Sequence, residues 1–148
     1  MRATLPVAPA SKISEEFGGN KAFDILLDEM HKRDLRLIMD LVANHSSDEH
    51  KWFQESKKGE DNPYHDYYFW KKGKKETPPN NWLSVFGGSA WEWDTSRKQY
   101  YLHNFLKSQP DFNFHNIDVQ KWLLSTVKFW LEKGVDGFRP VSYTHLRA

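Results

Sequence analysis

Asp40, Asn44, His45 and Arg139 are the residues of this chain best placed to act on a polar ligand. The first three sit at or just past the end of the apolar segment Leu35-Arg36-Leu37-Ile38-Met39-Asp40-Leu41-Val42. Arg139 ends a second such segment, Val135-Asp136-Gly137-Phe138-Arg139. A short apolar run bounded by polar residues reads as a buried strand. Parallel α/β barrels place their chemistry at the C-terminal ends of strands, where different strands converge on one substrate. A carboxylate, an imidazole and a guanidinium on adjacent strand ends could grip a polar ligand and orient a nucleophile. The plainer alternative is a structural Asp–Arg pair with a loop-stabilising asparagine, and spacing alone leaves both open.

The elements that must carry these residues are readable around them. Phe23, Leu26, Leu27 and Met30 fall on one helical stripe. Asn20 is its expected N-cap after the Gly18-Gly19 breaker, and Lys32 and Arg33 suit the negative C-terminal end. Val119, Trp122, Leu123, Val127, Trp130 and Leu131 form a second stripe, with Asn116 or Asp118 as cap and Gly134 as the C-terminal left-handed residue. Between them periodicity is lost: Lys71-Lys72-Gly73-Lys74-Lys75 and Pro78-Pro79-Asn80-Asn81 read as exposed turns, and Lys98-Gln99-Tyr100-Tyr101-Leu102 as a short strand. A structureless loop of that length is improbable in a compact domain, so a small inserted subdomain is expected. Helix, strand, insertion, helix, strand is the order of a parallel α/β sheet.

Composition narrows the function classes. A chain of 148 residues can form one modest core, yet falls short of the roughly 250 residues of a complete eightfold barrel. A net charge of +1, with both signs interspersed, offers no footprint for nucleic acid or an anionic membrane. There is no cysteine, which removes disulfides and thiolate metal sites and fits a cytoplasmic location. The first ten residues lack the apolar core of a signal peptide. Aromatic residues reach 16%, including 7 Trp. Such rings are most often core, though their faces also stack on the C–H patches of sugars.

Three segments together resemble a known family. Asp40-Leu41-Val42-Ala43-Asn44-His45 matches the first region of glycoside hydrolase family 13, on the third barrel strand. Gly137-Phe138-Arg139 matches the start of the second region, on the fourth strand. Gln109-Pro110-Asp111-Phe112-Asn113 is similar to the fifth region in the form found in the oligo-1,6-glucosidase and bacterial α-glucosidase branch. The resemblance implies a partial (β/α)8 TIM barrel, around strands 3 and 4, with an inserted domain B. Its expected layout is a non-native leader over 1–12, barrel segments over 13–45 and 116–139, domain B over 46–115 and an artificial tail over 140–148.

The resemblance also implies roles. His45 would hydrogen-bond the non-reducing-end glucose, Asp40 would lie at the floor of that subsite and help hold Arg139, and Arg139 would contact the 2-hydroxyl side. Phe86 and Phe105 would line the pocket and Gln109 would stand at its entrance, with domain B packing as the alternative for these three. The implied reaction is retaining hydrolysis of terminal α-glucosidic bonds in a small oligosaccharide, without cofactor or metal. In the family an aspartate nucleophile stands two residues after the arginine; here that position is Val141. Neither catalytic carboxylate is assignable, and inactivity of the isolated chain is expected. A non-catalytic carbohydrate-binding module is the competing reading.

Two lures lie near the motifs. His45-Ser46-Ser47-Asp48-Glu49-His50 looks like a zinc segment, but its spacing matches neither zinc-helix pattern. Asn44 resembles a calcium contact of many α-amylases, a site against which the glutamine form of the fifth region argues. Asp136 precedes Gly137 rather than following Arg139 and reads as a structural or surface residue.

Overall fold

A computed structural model of the chain describes residues 10–141. They form an α/β fold in two compact units: residues 10–43 with 120–141, and Asn44–Val119. The segment 46–115, expected as an insertion, falls within the second unit. Among the described residues, no helix is long and apolar enough to cross a membrane.

In the first unit a single 3-10 turn over Glu15–Phe17 leads into α1 (Gly19–His31). Its N-cap is Gly18, not the expected Asn20. Gly18 has φ of 84°, and an added Cβ would stand 2.6 Å from that of Ala22, so only glycine fits this entry. Asn20 instead staples the preceding chain: its Oδ1 accepts from the Ile13 N–H at 2.8 Å and its Nδ2 donates to the Ser11 carbonyl at 2.8 Å. Ala10 is held as well, donating to Thr126 Oγ1 at 3.0 Å and accepting from the Trp130 indole at 2.8 Å. The end of the segment expected as a leader is thus fastened to the helical elements.

β1 (Ile38–Val42) and β5 (Gly137–Val141) pair in parallel, with Asp40 directly opposite Arg139. α3 (Ile117–Glu132) precedes β5, and Gly134, at φ of 101°, turns the chain between them. There the N–H groups of Gly134 and Val135 return to the Leu131 and Trp130 carbonyls, closing the helix end. Asp136 accepts from the Leu37 N–H at 2.8 Å and pairs with His31 and Arg36, so it locks the strand starts together.

Two strand expectations change. β1 starts at Ile38 rather than Leu35 and is not buried: exposed and half-buried residues alternate along it, with Ile38 58% exposed. An apolar strand is buried only when both its faces are covered, and among the described residues this sheet has two strands. β5 starts later than Val135 and continues past Arg139 through Pro140, opposite Leu41, to Val141. Proline removes one ladder donor, which an edge strand tolerates. The remainder of the expected tail, 142–148, lies outside the described residues, as do 1–9 of the leader.

The second unit holds a three-stranded antiparallel sheet in the order β2 (Trp70–Lys72), β4 (Gln99–Leu102), β3 (Trp91–Asp94). β2 takes in Lys71 and Lys72, although their lysine-rich surroundings read as turn. Lys98 is outside β4, at φ of 55° in the turn that joins β3 to β4. α2 (Lys51–Ser56) packs its Phe53 against Tyr68, Trp70 and Tyr101, with ring centroids 5.0–5.6 Å apart. His50 caps α2 by accepting from the Trp52 N–H at 3.2 Å, the local role of the histidine that resembled a zinc ligand.

Most of the aromatic excess lies in this core, where the polar tips find partners: Trp70 Nε1 on Ser56 Oγ, Tyr101 Oη on the Lys107 carbonyl, Tyr68 Oη with Ser46 Oγ. Arg97 acts as a staple. Its guanidinium lies 4.4 Å over the Trp70 ring and donates to the Ser56 and His65 carbonyls and to Gln99 Oε1. Arg97→Ala is expected to cost about 2–3 kcal/mol in urea unfolding, since it strands two carbonyls and uncovers the indole. Arg97→Lys should recover little, because one ammonium cannot reproduce the planar fork.

Candidate functional site

The expected site residues fall in both units. In the first, Arg139 donates from Nη2 to Asp40 Oδ2 at 2.6 Å, across neighbouring strands. The side chains are 71% and 53% exposed, so their ion pair contributes little to stability and both remain open to a ligand. Planar guanidinium and carboxylate groups on one sheet face can donate to and accept from adjacent sugar hydroxyls.

In the second unit, His45, Gln109, Phe105 and Phe86 form one cluster. Gln109 Nε2 lies 3.1 Å from His45 Nε2, while Gln109 Oε1 accepts from the Leu106 N–H at 3.1 Å. With the amide oxygen so engaged, the amide nitrogen donates to the ring, and His45 carries its proton on Nδ1. The His45 ring is 5.4 Å from that of Phe105, which is 6.2 Å from that of Phe86. Phe86 is 67% exposed, an aromatic left outside the core. Burial pushes the His45 pKa below its ordinary value, so the ring is neutral at pH 7.

Backbone pairing makes this cluster possible. His45 and Asp111 form an isolated antiparallel bridge, the Phe112 N–H donates to the Asn44 carbonyl at 2.9 Å, and the Ser46 N–H donates to the Pro110 carbonyl at 3.2 Å. The histidine of the first motif and the glutamine of the third, 64 residues apart, therefore meet along one short ladder.

Asp111 and Asn104 have no role that spacing or motif assigns. Asp111 is 3% exposed and accepts from Asn44 Nδ2 at 2.9 Å, from the Asn104 N–H at 3.1 Å and from Asn104 Nδ2. Burial raises its pKa from 3.8 to about 6, against the pull of those three donors. Asp111 is visible in the sequence as part of a motif, whereas Asn104 carries no signal beyond a polar residue in an aromatic stretch. His103 is also buried: its Nδ1 bonds to the Phe105 carbonyl at 3.1 Å, which fixes the start of the same segment.

The family described as the alpha-amylase catalytic domain matches residues 7–146. The oligo-1,6-glucosidase of Heyndrickxia coagulans is 57% identical over 129 residues, and a probable alpha-glucosidase of Rhizobium meliloti (strain 1021) is 57% identical over 124. These alignments cover 86% and 83% of this chain, which spans only 23% and 22% of the two relatives. Among solved structures, an isomaltulose synthase mutant from Erwinia rhapontici NX5, in complex with its natural substrate sucrose, is 53% identical. It has a TM-score of 0.83 over 88% of this chain and 23% of its own.

Proposed function

Because the chain belongs to the α-amylase family, glycoside hydrolase family 13, we propose that it is the part of a retaining α-glucosidase that carries glucose-binding groups. The partial barrel is β1 and β5 with their helices, standing as strands 3 and 4, and the second unit is domain B. The substrate class is a short oligosaccharide with a terminal α-glucosidic bond. One observation carries the reading: two motifs distant in sequence bring His45 and Gln109 to 3.1 Å beside the ring of Phe105.

The chemistry follows from the groups. The Nδ1 of neutral His45 is buried, so the ring meets a ligand through Nε2, which can accept from a sugar hydroxyl once Gln109 swings away. Phe105 and Phe86 offer apolar faces to the C–H side of a pyranose. In the other unit Arg139 holds a fixed positive charge next to Asp40 and would keep a neighbouring carboxylate ionised. Retaining hydrolysis needs a carboxylate nucleophile and a carboxylic acid that protonates the leaving oxygen. The nucleophile register of this sequence is Val141, whose side chain can do neither.

The isolated 148-residue polypeptide is accordingly expected to leave p-nitrophenyl α-glucoside unhydrolysed. It should bind maltose weakly, with Kd on the order of millimolar, and His45→Ala should remove that binding. Turnover by the isolated chain, lost on the same substitution, would refute the proposed lack of a nucleophile. Tight saturable binding without turnover would favour a carbohydrate-binding module instead.

A further inference from the structure

Asp111 sits where the supports of the His45 cluster meet. Each of its partners stands one residue before a cluster side chain or leads to one. Asn44, which donates to Asp111 at 2.9 Å, precedes His45. Asn104, which donates through both its backbone and its amide, precedes Phe105. The Asn104 carbonyl accepts from the Val85 N–H at 2.8 Å, and Val85 precedes Phe86. Gln109 lies two residues before Asp111, at the bend that leads into its bridge with His45. We propose that Asp111 is a positioning residue, a buried carboxylate that holds His45, Phe86, Phe105 and Gln109 in one arrangement without itself meeting a ligand.

The chemistry of a carboxylate suits this task. Its two oxygens can accept several N–H donors at once from different directions and donate none when ionised. Charge-assisted bonds of this kind are roughly twice as strong as neutral ones. A backbone ladder already ties the His45 and Gln109 segments, and the Asn104 carbonyl ties the Phe86 segment; the carboxylate is the shared side-chain acceptor that joins Asn44 and Asn104 to this frame. Leucine at this site would leave the three N–H donors without an acceptor and loosen the cluster at Asn44 and Asn104, while the backbone ladder remains. Asparagine would keep one acceptor oxygen for Asn44 and the Asn104 N–H. The Asn104 side chain could then rotate so that its oxygen accepts from the new amide.

The proposal rests on the sugar-binding reading for its biological purpose, but its test does not. Heteronuclear NMR of the full chain would follow the His45 ring, the Gln109 side-chain amide and the Phe86 backbone N–H, with the Trp93 indole as a reference in the sheet. In Asp111→Leu all three probes are expected to shift while Trp93 stays in place, and maltose binding should weaken by about tenfold. Asp111→Asn should leave the probes near their original positions and affinity within about threefold. Asn104→Ala removes only the side-chain bond; it should shift Phe86 and His45 by less, in the same direction, and it is the deciding variant if Asp111→Leu does not fold. Unmoved probes in either variant, or a Trp93 shift as large as theirs, would overturn the positioning role. Absence of maltose binding by the wild-type chain would overturn the sugar-binding reading, and the role of Asp111 would then be decided by the resonance shifts alone.

Discussion

Phe53→Ala should be the most damaging single substitution in the second unit, lowering unfolding free energy by about 3–5 kcal/mol. Phe53 is 1% exposed and its ring meets three others: Trp70 in parallel at 5.6 Å, and Tyr68 and Tyr101 edge-on at 5.0 Å each. The loss has two parts, the transfer energy of a phenyl group and a cavity that rigid aromatic neighbours cannot collapse into. Those neighbours are themselves pinned by polar tips, as with Tyr68 on Ser46 and Trp70 on Ser56, which restricts relaxation further. Leu83→Ala is the control. Leu83 is 72% exposed in the same unit and should fall within about 0.5 kcal/mol of the wild type. Urea unfolding checks both, with a lowered midpoint at an unchanged slope for Phe53→Ala. A loss below about 1 kcal/mol would mean the ring cluster is not the core of this unit.

Much of this arrangement is legible in the sequence, and the parts that are not share a cause. Helical stripes announce α1 and α3 because side-chain periodicity is a local property. The stop at Gly134 is equally local. Asp136 reads as structural or surface, and the structure holds it with Leu37, His31 and Arg36. The N-cap expectation fails at Asn20 because a competing use is out of sight: its side chain is consumed by Ser11 and Ile13, and the nearby Gly18 takes the left-handed entry. Exposure of β1 escapes the sequence for a different reason. Its residues report the surroundings a strand of this kind is built for, while burial depends on which elements are there to cover it. Asp111 shows the limit most clearly. Its partners come from positions 44 and 104, and the reach to position 85 is indirect, so no window along the chain contains the network.

The same carboxylate should give the second unit an unusual response to acid. Asp111 has a pKa of about 6 in the folded protein against 3.8 when unfolded, because removal from water outweighs the donors around it. Between those values the folded state therefore binds more protons than the unfolded one, and stability contributed by this group rises as pH falls from about 6 to about 4. Most carboxylates act in the opposite sense; Asp136, held down at about 2 chiefly by the Leu37 N–H and His31, loses its stabilising effect only as pH drops below 3.8. His45, His50 and His103 also oppose Asp111. Burial lowers all three pKa values, so the fold holds them neutral and loses stability as acid charges them below 6.5. The total curve is thus a contest, and Asp111 has to be read as a difference. Its full swing corresponds to about 3 kcal/mol. Asparagine at this position cannot titrate, so the gap in stability between wild type and Asp111→Asn should move in favour of the wild type by up to that amount from pH 7 to pH 4. Urea midpoints at half-unit intervals would trace it. A gap that stays constant, or moves the other way, would show that Asp111 is already ionised at no cost in the fold, and that its three N–H donors outweigh its burial.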